Sequence, residues 1–295
     1  MTNTSIHTLL FVLPILLSIH FANSPKNKQI FKQRRGGEKT PQGKLVGGWA
    51  IMLTLFFSYI FFQDLTPETQ DFLSIPQLFF PFFLLGVIDD LNGMKAGKKL
   101  FYQVAILVFF LSGIETTFPN AILLLVFGLT IVNGFNFIDG INGLLPAISF
   151  VLFSQLEGGM IVATIMLGIL YASRRHKEVY LGDSGSLLLG ALAFSGLFAS
   201  FENSNTFISN LMPISLFFLL PIADVLWAVL RRATFGAREK KTLKGFFKKI
   251  STPDEKHIHH LLKSRYGEHA TIVICMLLTW VATEIAFIYS TPLQG

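Results

Sequence analysis

Asp89 and Asp90 stand side by side at the end of a run that is otherwise almost all hydrocarbon, and Lys95, Lys98 and Lys99 follow within ten residues. Three more polar clusters interrupt the apolar chain: "NGFNFIDGING" (133–143), "YLGDSGS" (180–186) and "PDEKHIHHLL" (253–262). In the first of these, Asn133, Asn136, Asp139 and Asn142 recur at a spacing of three. That spacing would put oxygen donors on one side of a helical turn. Carboxylate and amide oxygens are hard ligands suited to Mg2+, which keeps waters and shares its shell with substrate phosphates. Lys, Arg and His are phosphate partners. The glycines flanking Asp183 would let a phosphate approach backbone N–H groups at a helix start. Together these residue types point to Mg2+-dependent phosphate chemistry, in which the protein supplies positioning and charge stabilisation.

Each cluster also has a plainer reading. The aspartate pair could be a solvated helix end, although the dipole disfavours carboxylates at a helix C-terminus. The Asn/Gly stretch could be a turn, yet it lies among basic loops and holds no Lys or Arg. Asp183 or Ser184 could cap a helix. His257, His259 and His260 could be a solvated turn or zinc ligands, although neither HExxH nor a cysteine partner accompanies them. GDSG as a serine-protease signature fails, because nothing here supplies the β-barrel that would hold a triad. It is the joint occurrence of all four that favours chemistry.

The elements that must carry these residues are membrane helices. The 295 residues are 52% hydrophobic and include 31 Phe. Only 14% are charged, against roughly 25% in a soluble domain, and the mean hydropathy is +0.56. This composition excludes nucleic-acid reading heads and disulfide scaffolds, and the single cysteine, Cys275, allows no intrachain disulfide. A bilayer core about 30 Å thick needs roughly 20 apolar residues per helix. Ten runs approach that length: 5–22, 44–63, 72–88, 100–117, 119–136, 141–156, 158–172, 184–201, 207–230 and 271–290. The first lacks a basic leader and a small-residue cleavage site, so it is expected to be a retained helix. The expected fold is therefore all-α, a polytopic membrane bundle of about ten helices with both termini outside, forming a single domain over 1–295.

The basic residues orient the bundle. All 24 Lys and Arg fall in alternate loops, seven in 22–44, three in 89–99, three in 173–183 and eleven in 231–270. The intervening loops hold acids instead: Asp64, Glu68, Asp71, Glu115, Glu157 and Glu202. The four polar clusters therefore share the basic, cytoplasmic side, with active-site loops expected at 22–43, 89–99, 134–142, 173–183 and 231–270. Most of the lysines need do no more than orient the chain and meet anionic headgroups.

Six stretches, in order, resemble the polyprenyl-phosphate N-acetylhexosamine-1-phosphate transferases: "TPQGKLVGG" (40–48), "GVIDDLNGMKAGKKLFYQ" (86–103), "NGFNFIDGINGL" (133–144), "YLGDSGSLLLG" (180–190), "PIADVLWAVLRR" (221–232) and "PDEKHIHHLL" (253–262). The resemblance implies transfer of a sugar-1-phosphate from a UDP-sugar to undecaprenyl phosphate, with release of UMP, as the first step of an envelope glycopolymer such as O-antigen. It implies a bacterial cytoplasmic (inner) membrane location, Mg2+ as cofactor with Mn2+ able to substitute, and a homodimer as a state that family members can adopt. Carried over residue by residue, Asp89 and Asp90 match the catalytic aspartate pair, and Asp89 would deprotonate the lipid phosphate. Asp183 matches the Mg2+-binding aspartate, with Asn136 a second metal contact. Lys99 matches the phosphate-holding lysine. Asn142 matches a uracil-side contact, with Asn133 and Asp139 in the same substrate-binding motif. His257, His259 and His260 match the catalytic histidine motif, whose "HIHH" spelling resembles the N-acetylglucosamine branch more than the muramoyl-pentapeptide branch. UDP-N-acetylglucosamine is the expected donor; UDP-N-acetylfucosamine, UDP-N-acetylquinovosamine and UDP-N-acetylmuramoyl-pentapeptide are the alternatives. A transporter is the rival from another class, but the spans are nearly uncharged, Asp224 and Glu284 being the exceptions away from the span ends.

Overall fold

A computed structural model describes residues 3–23, 44–61, 76–177, 179–199, 201, 203–236 and 257–289. The basic stretches 24–43 and 237–256, and with them "PDEK" at 253–256, lie outside the described residues. The order is α1 (Asn3–Asn23), β1 (Lys44–Leu45), α2 (Gly47–Phe61), α3 (Pro76–Asn92), α4 (Ala96–Leu111), α5 (Phe118–Ile138), α6 (Leu144–Ser154), α7 (Met160–Arg175), β2 (Val179–Tyr180), α8 (Gly182–Ala199), α9 (Ser204–Ser209), α10 (Leu211–Phe217), α11 (Leu219–Gly236) and α12 (Ile258–Tyr289). Each apolar run expected to span contains helix among the described residues, and the chain is an all-α polytopic membrane protein.

Among the described residues, four helical stretches are both long and apolar enough to cross a bilayer unaided: Ile6–Asn23 of α1, α5, α8 and α12. The other runs are shorter or broken. At about 1.5 Å per residue, the 11-residue α6 reaches about half the thickness of the hydrocarbon core. The run expected as one span over 207–230 is broken instead, with α10 and α11 meeting at 91° across Phe218. The expected span at 271–290 is the far part of the longer α12, interrupted at Gly267 (φ 81°, ψ 170°).

The bundle is organised around α8. Apart from Asp183 it carries no charge, and Gly185, Gly190, Ala191, Ala193, Ser195 and Gly196 keep its surface low. Small residues let membrane helices approach closely, where packing rather than hydrophobicity drives association. Accordingly α8 is buried along almost its whole length and packs on α2, α3 and α5. The tightest approach is at Gly86 of α3. A Cβ placed there would lie 2.4 Å from the Asp183 carbonyl oxygen and from Ser184 Cα. This backbone contact brings the end of α3, and hence Asp89 and Asp90, to the start of α8.

A two-residue parallel ladder completes that corner: Lys44 pairs with Val179 and Leu45 with Tyr180. The Gly48 N–H then donates to the Leu181 carbonyl at 3.1 Å, so α2 and α8 start side by side. On the far side, α5 packs against α11, and α12 packs against α6, α10 and α11.

Candidate active site

The start of α8 faces the end of α3. Asp90 Oδ1 accepts the backbone N–H of Asp183 at 2.8 Å, and its Oδ2 accepts that of Ser184 at 3.0 Å. The first N–H groups of a helix have no intrahelical acceptor. Here the acceptor comes from another helix, so neither Asp183 nor Ser184 provides the cap that their own sequence suggests. Asp90 is at an unfavourable helix end for its own dipole but at the favourable end of α8, which accounts for the adjacent aspartates. Burial, reinforced by the Asp183 charge, raises the Asp90 carboxyl to about 7.

Asp89 points the other way, toward Lys99 in the first turn of α4. Lys99 Nζ lies 2.9 Å from Asp89 Oδ2 and 2.8 Å from Asp183 Oδ1. The two carboxylates thus share one ammonium group. Burial would pull the lysine down, but Asp183 and Asp89 outweigh it and hold Lys99 above its ordinary value. Burial, together with the Asp183 charge, leaves Asp89 raised despite the attraction of Lys99. The Met94 N–H also donates to Asp89, tying down the turn between α3 and α4.

The third contributor is the end of α5. Asn136 Nδ2 donates to Asp183 Oδ1 and lies 2.8 Å from Ser186 Oγ. The other residues of the spacing-three series go elsewhere. Asn133 donates to Gln103 Oε1 at 3.0 Å and to the Leu129 carbonyl at 2.8 Å, inside the bundle. Asp139 is the residue at which α5 ends, with φ −68° and ψ 33°. Asn142, beyond that end, donates to the Ser173 carbonyl at 3.3 Å. The helix stops before the periodicity can bring all four to one face. Arg174 then holds the loop: its Nη1 donates to the Asn142 carbonyl at 3.2 Å and also to Glu268. Lys95 and Lys98 are exposed at the start of α4.

The histidine cluster reaches the same end of the bundle from α12. His257 Nδ1 lies 2.8 Å from Asp224 Oδ2, and the Ile258 N–H donates to Asp224 Oδ1 at 2.8 Å. His259 stacks on His257 at 5.6 Å, and His260 follows at 4.4 Å from His259. The His257 ring also lies 5.1 Å from that of Phe137, the residue after Asn136. A Cβ on Gly140 would lie 2.5 Å from His259 Nε2 and 2.8 Å from His260 Nε2. Gly134 in turn admits Pro221 of α11, to which a Cβ would come within 2.8 Å. One stretch, 134–140, therefore touches Asp183 through Asn136, α11 through Gly134 and the histidines through Phe137 and Gly140. Sequence reasoning gave Asp224 no role in the site. The available signal was an acid inside an apolar helix, a costly placement that marks function or a buried partner.

Among the described residues no three of His, Cys, Asp and Glu converge as a metal centre. The donor set nonetheless fits Mg2+, which is commonly held by one or two carboxylates and completes its shell with water and substrate phosphate. A cationic group already lies within 2.9 Å of oxygens on both Asp89 and Asp183, so this position tolerates positive charge. Turned about its last bond, the Asn136 amide would present oxygen to the same place.

Comparisons with known proteins point to one family. Residues 72–200 match the model of glycosyl transferase family 4, which covers α3 to α8 but neither Asp224 nor the histidines. The chain is 32% identical over 236 residues, 78% of its own length and 71% of the relative's, to an undecaprenyl-phosphate alpha-N-acetylglucosaminyl 1-phosphate transferase of Thermotoga maritima. It is 28% identical over 243 residues to a probable undecaprenyl-phosphate N-acetylglucosaminyl 1-phosphate transferase of Bacillus subtilis, spanning 62% of that protein. It is 32% identical over 169 residues to a phospho-N-acetylmuramoyl-pentapeptide-transferase of Deinococcus radiodurans, spanning 47% of it. With the six motifs in order, the all-helical membrane bundle and these relatives, the chain belongs to glycosyl transferase family 4, among the polyprenyl-phosphate N-acetylhexosamine-1-phosphate transferases.

Proposed function

We propose that this protein transfers N-acetylglucosamine-1-phosphate from UDP-N-acetylglucosamine to undecaprenyl phosphate, releasing UMP, on the cytoplasmic face of a bacterial membrane. One observation carries the reading: Lys99 bridges Asp89 and Asp183, while Asn136 bonds the same Asp183 oxygen from α5. Four helices thus bring two carboxylates, an ammonium group and an amide into one hydrogen-bonded cluster. The charge partition along the chain supports the cytoplasmic side.

A phosphate oxygen of the lipid attacks the phosphorus that bears the sugar. That phosphorus–oxygen bond to the nucleotide breaks and UMP leaves. Undecaprenyl phosphate is a monoester with a second pKa near 6, so Asp89 has at most one residual proton to take. The ammonium of Lys99 offsets repulsion between two anionic reactants that must meet. Asp90 acts through Asp183, by fixing the start of α8. His257, His259 and His260 lie across the 134–140 stretch from Asp183 and would meet the diphosphate or the sugar. Asn142 and Asp139 stand at the loop assigned to the uracil side. Asp183 and Asn136 would hold Mg2+, which when bound would neutralise charge on the diphosphate.

The test is a membrane assay with radiolabelled UDP-N-acetylglucosamine, undecaprenyl phosphate and Mg2+. Labelled lipid is expected, together with UMP, and EDTA should abolish it. Parallel reactions with UDP-N-acetylfucosamine, UDP-N-acetylquinovosamine and UDP-N-acetylmuramoyl-pentapeptide identify the sugar. Absence of labelled lipid with every donor, or full activity in Asp183→Ala, overturns the reading.

A further inference from the structure

Asp224 is the one acid of α11, and at 1% exposure it is also among the most buried charged residues described. An ionised carboxylate in such a place is tolerated only when it is paired and its oxygens are satisfied. Both of its oxygens are used, and both partners lie at the start of α12. Oδ2 faces His257 Nδ1 and Oδ1 accepts the Ile258 N–H, each at 2.8 Å. A carboxylate can only accept, so the proton of this contact is on Nδ1. The nitrogen left to meet a ligand is then Nε2.

We propose that Asp224 is a positioning residue for the transferase: it selects the Nδ1–H form of His257 and sets the direction of its ring, so that Nε2 is the atom offered to substrate phosphate. This rests on the phosphotransfer reading above and gives one histidine of that site a defined protonation pattern. The second nitrogen of an imidazole is commonly oriented by a carboxylate or carbonyl on the first.

The surroundings favour a role beyond holding two helices together. If α11 and α12 needed only a strut, the Ile258 N–H and one oxygen would serve. Asp224 also engages the ring, and that ring begins a stack: His259 is nearly parallel to it at 14°, with its Nδ1 3.8 Å from the same Oδ2. Neither ring nitrogen of His259 has a hydrogen-bond partner, although it is only 2% exposed. Its Nε2 lies against Gly140, at the end of the stretch whose Asn136 meets Asp183. Asp224 therefore anchors a row of imidazoles that lies along Phe137 and Gly140, beside the Asn136 that meets Asp183.

The test uses the full-length enzyme in lipid nanodiscs with 15N-labelled histidine. His257 is assigned by the signal lost in His257→Gln. In the unsubstituted protein its Nδ1 should carry a proton. In Asp224→Asn the amide N–H should face Nδ1 and move the proton to Nε2, while the side-chain oxygen still accepts the Ile258 N–H and preserves the fold. In that variant kcat should fall about 100-fold, the scale of a misplaced acid–base group, with the KM for UDP-N-acetylglucosamine within about threefold. An unprotonated Nδ1 in the unsubstituted protein overturns the proposal and needs no variant. So does an unaltered kcat in Asp224→Asn, or a loss there that tracks only the amount of folded protein. Failure of the unsubstituted enzyme to make lipid-linked sugar would instead sink the transferase reading, and the ring measurement would stand apart from it.

Discussion

Asp90 accepts the backbone N–H of Asp183 at 2.8 Å, so a side chain at the end of α3 caps the helix that presents the metal-type aspartate. The adjacent Asp89 turns to Lys99 instead. Two neighbouring carboxylates thus act on opposite sides of Asp183, one on its backbone and one through a shared ammonium.

The burial of this capping carboxyl makes stability depend on pH. Burial, with the Asp183 charge, raises Asp90 from 3.8 to about 7, against the pull of the N–H donors of Ser184 and Asp183. A carboxyl raised on folding binds its proton more tightly in the folded state. Its stabilising contribution is complete below pH 3.8 and is lost as pH rises through about 7. In detergent with EDTA, the thermal midpoint should fall between pH 5 and pH 8, on the order of a few degrees. Asp90→Asn should flatten that slope. An equal slope in the variant would assign the titration to another group.

The contact at Gly86 sets the spacing on which the cap depends. In Gly86→Ala the new methyl would lie 2.4 Å from the Asp183 carbonyl oxygen and Ser184 Cα. Neither is a flexible side-chain end, so one helix must move. Overpacking of this kind costs roughly 1–3 kcal/mol. The displaced atoms belong to the site itself, so activity should fall even in the fraction that stays folded. Melting curves and specific activity of the monodisperse fraction check both parts. Wild-type activity in a stable variant would show that the approach of α3 to α8 has slack.

Much of this was legible in the sequence, and the misses have physical causes. Hydropathy located most of the long helices, because burial in lipid acts on every residue of a run. The family motifs pointed to Asp89, Lys99, Asn136 and Asp183, which the structure brings together. The cap by Asp90 was not legible, since it depends on how closely α3 crosses α8, and that is decided by Gly86 against backbone. Asn133 shares the spacing of Asn136 but sits on the side that meets Gln103 of α4. Periodicity shows that residues share a face, not which neighbour the face meets. The bend at Phe218 escaped because both sides of the break are apolar. Asp224 and His257 are 33 residues apart, with a stretch outside the described residues between them.

Arg174 is expected to act on substrate affinity. It joins the loop carbonyl of Asn142 to Glu268 of α12, and so holds the expected uracil-side loop against the histidine helix. The pair is partly exposed, 27% and 35%, where an ion pair is worth about 1 kcal/mol or less. Arg174→Gln should therefore raise the KM for UDP-N-acetylglucosamine by about fivefold or less. The change in kcat should be smaller. Steady-state kinetics separate the two, and a fall in kcat at constant KM would move Arg174 to the chemical step.

Lys99 gives the sharpest test of the metal assignment. Its ammonium lies within 2.9 Å of oxygens on Asp89 and Asp183, the position proposed for part of the Mg2+ shell. Breaking a buried ion pair by removing one partner typically costs 3–5 kcal/mol, because the other charge is left uncompensated. Lys99→Met should accordingly melt well below wild type in EDTA. Added Mg2+ stabilises any state that binds it, by an amount that grows with the logarithm of one plus the ratio of free ion to Kd. In Lys99→Met the ion no longer shares its oxygens with a tethered cation, so the rise in melting temperature should exceed that of wild type. Asp183→Asn in the same background should abolish most of the rise. This readout needs neither the lipid nor the UDP-sugar, so it separates metal binding from catalysis. Equal Mg2+ shifts in wild type, Lys99→Met and the double variant would place the ion away from Asp183.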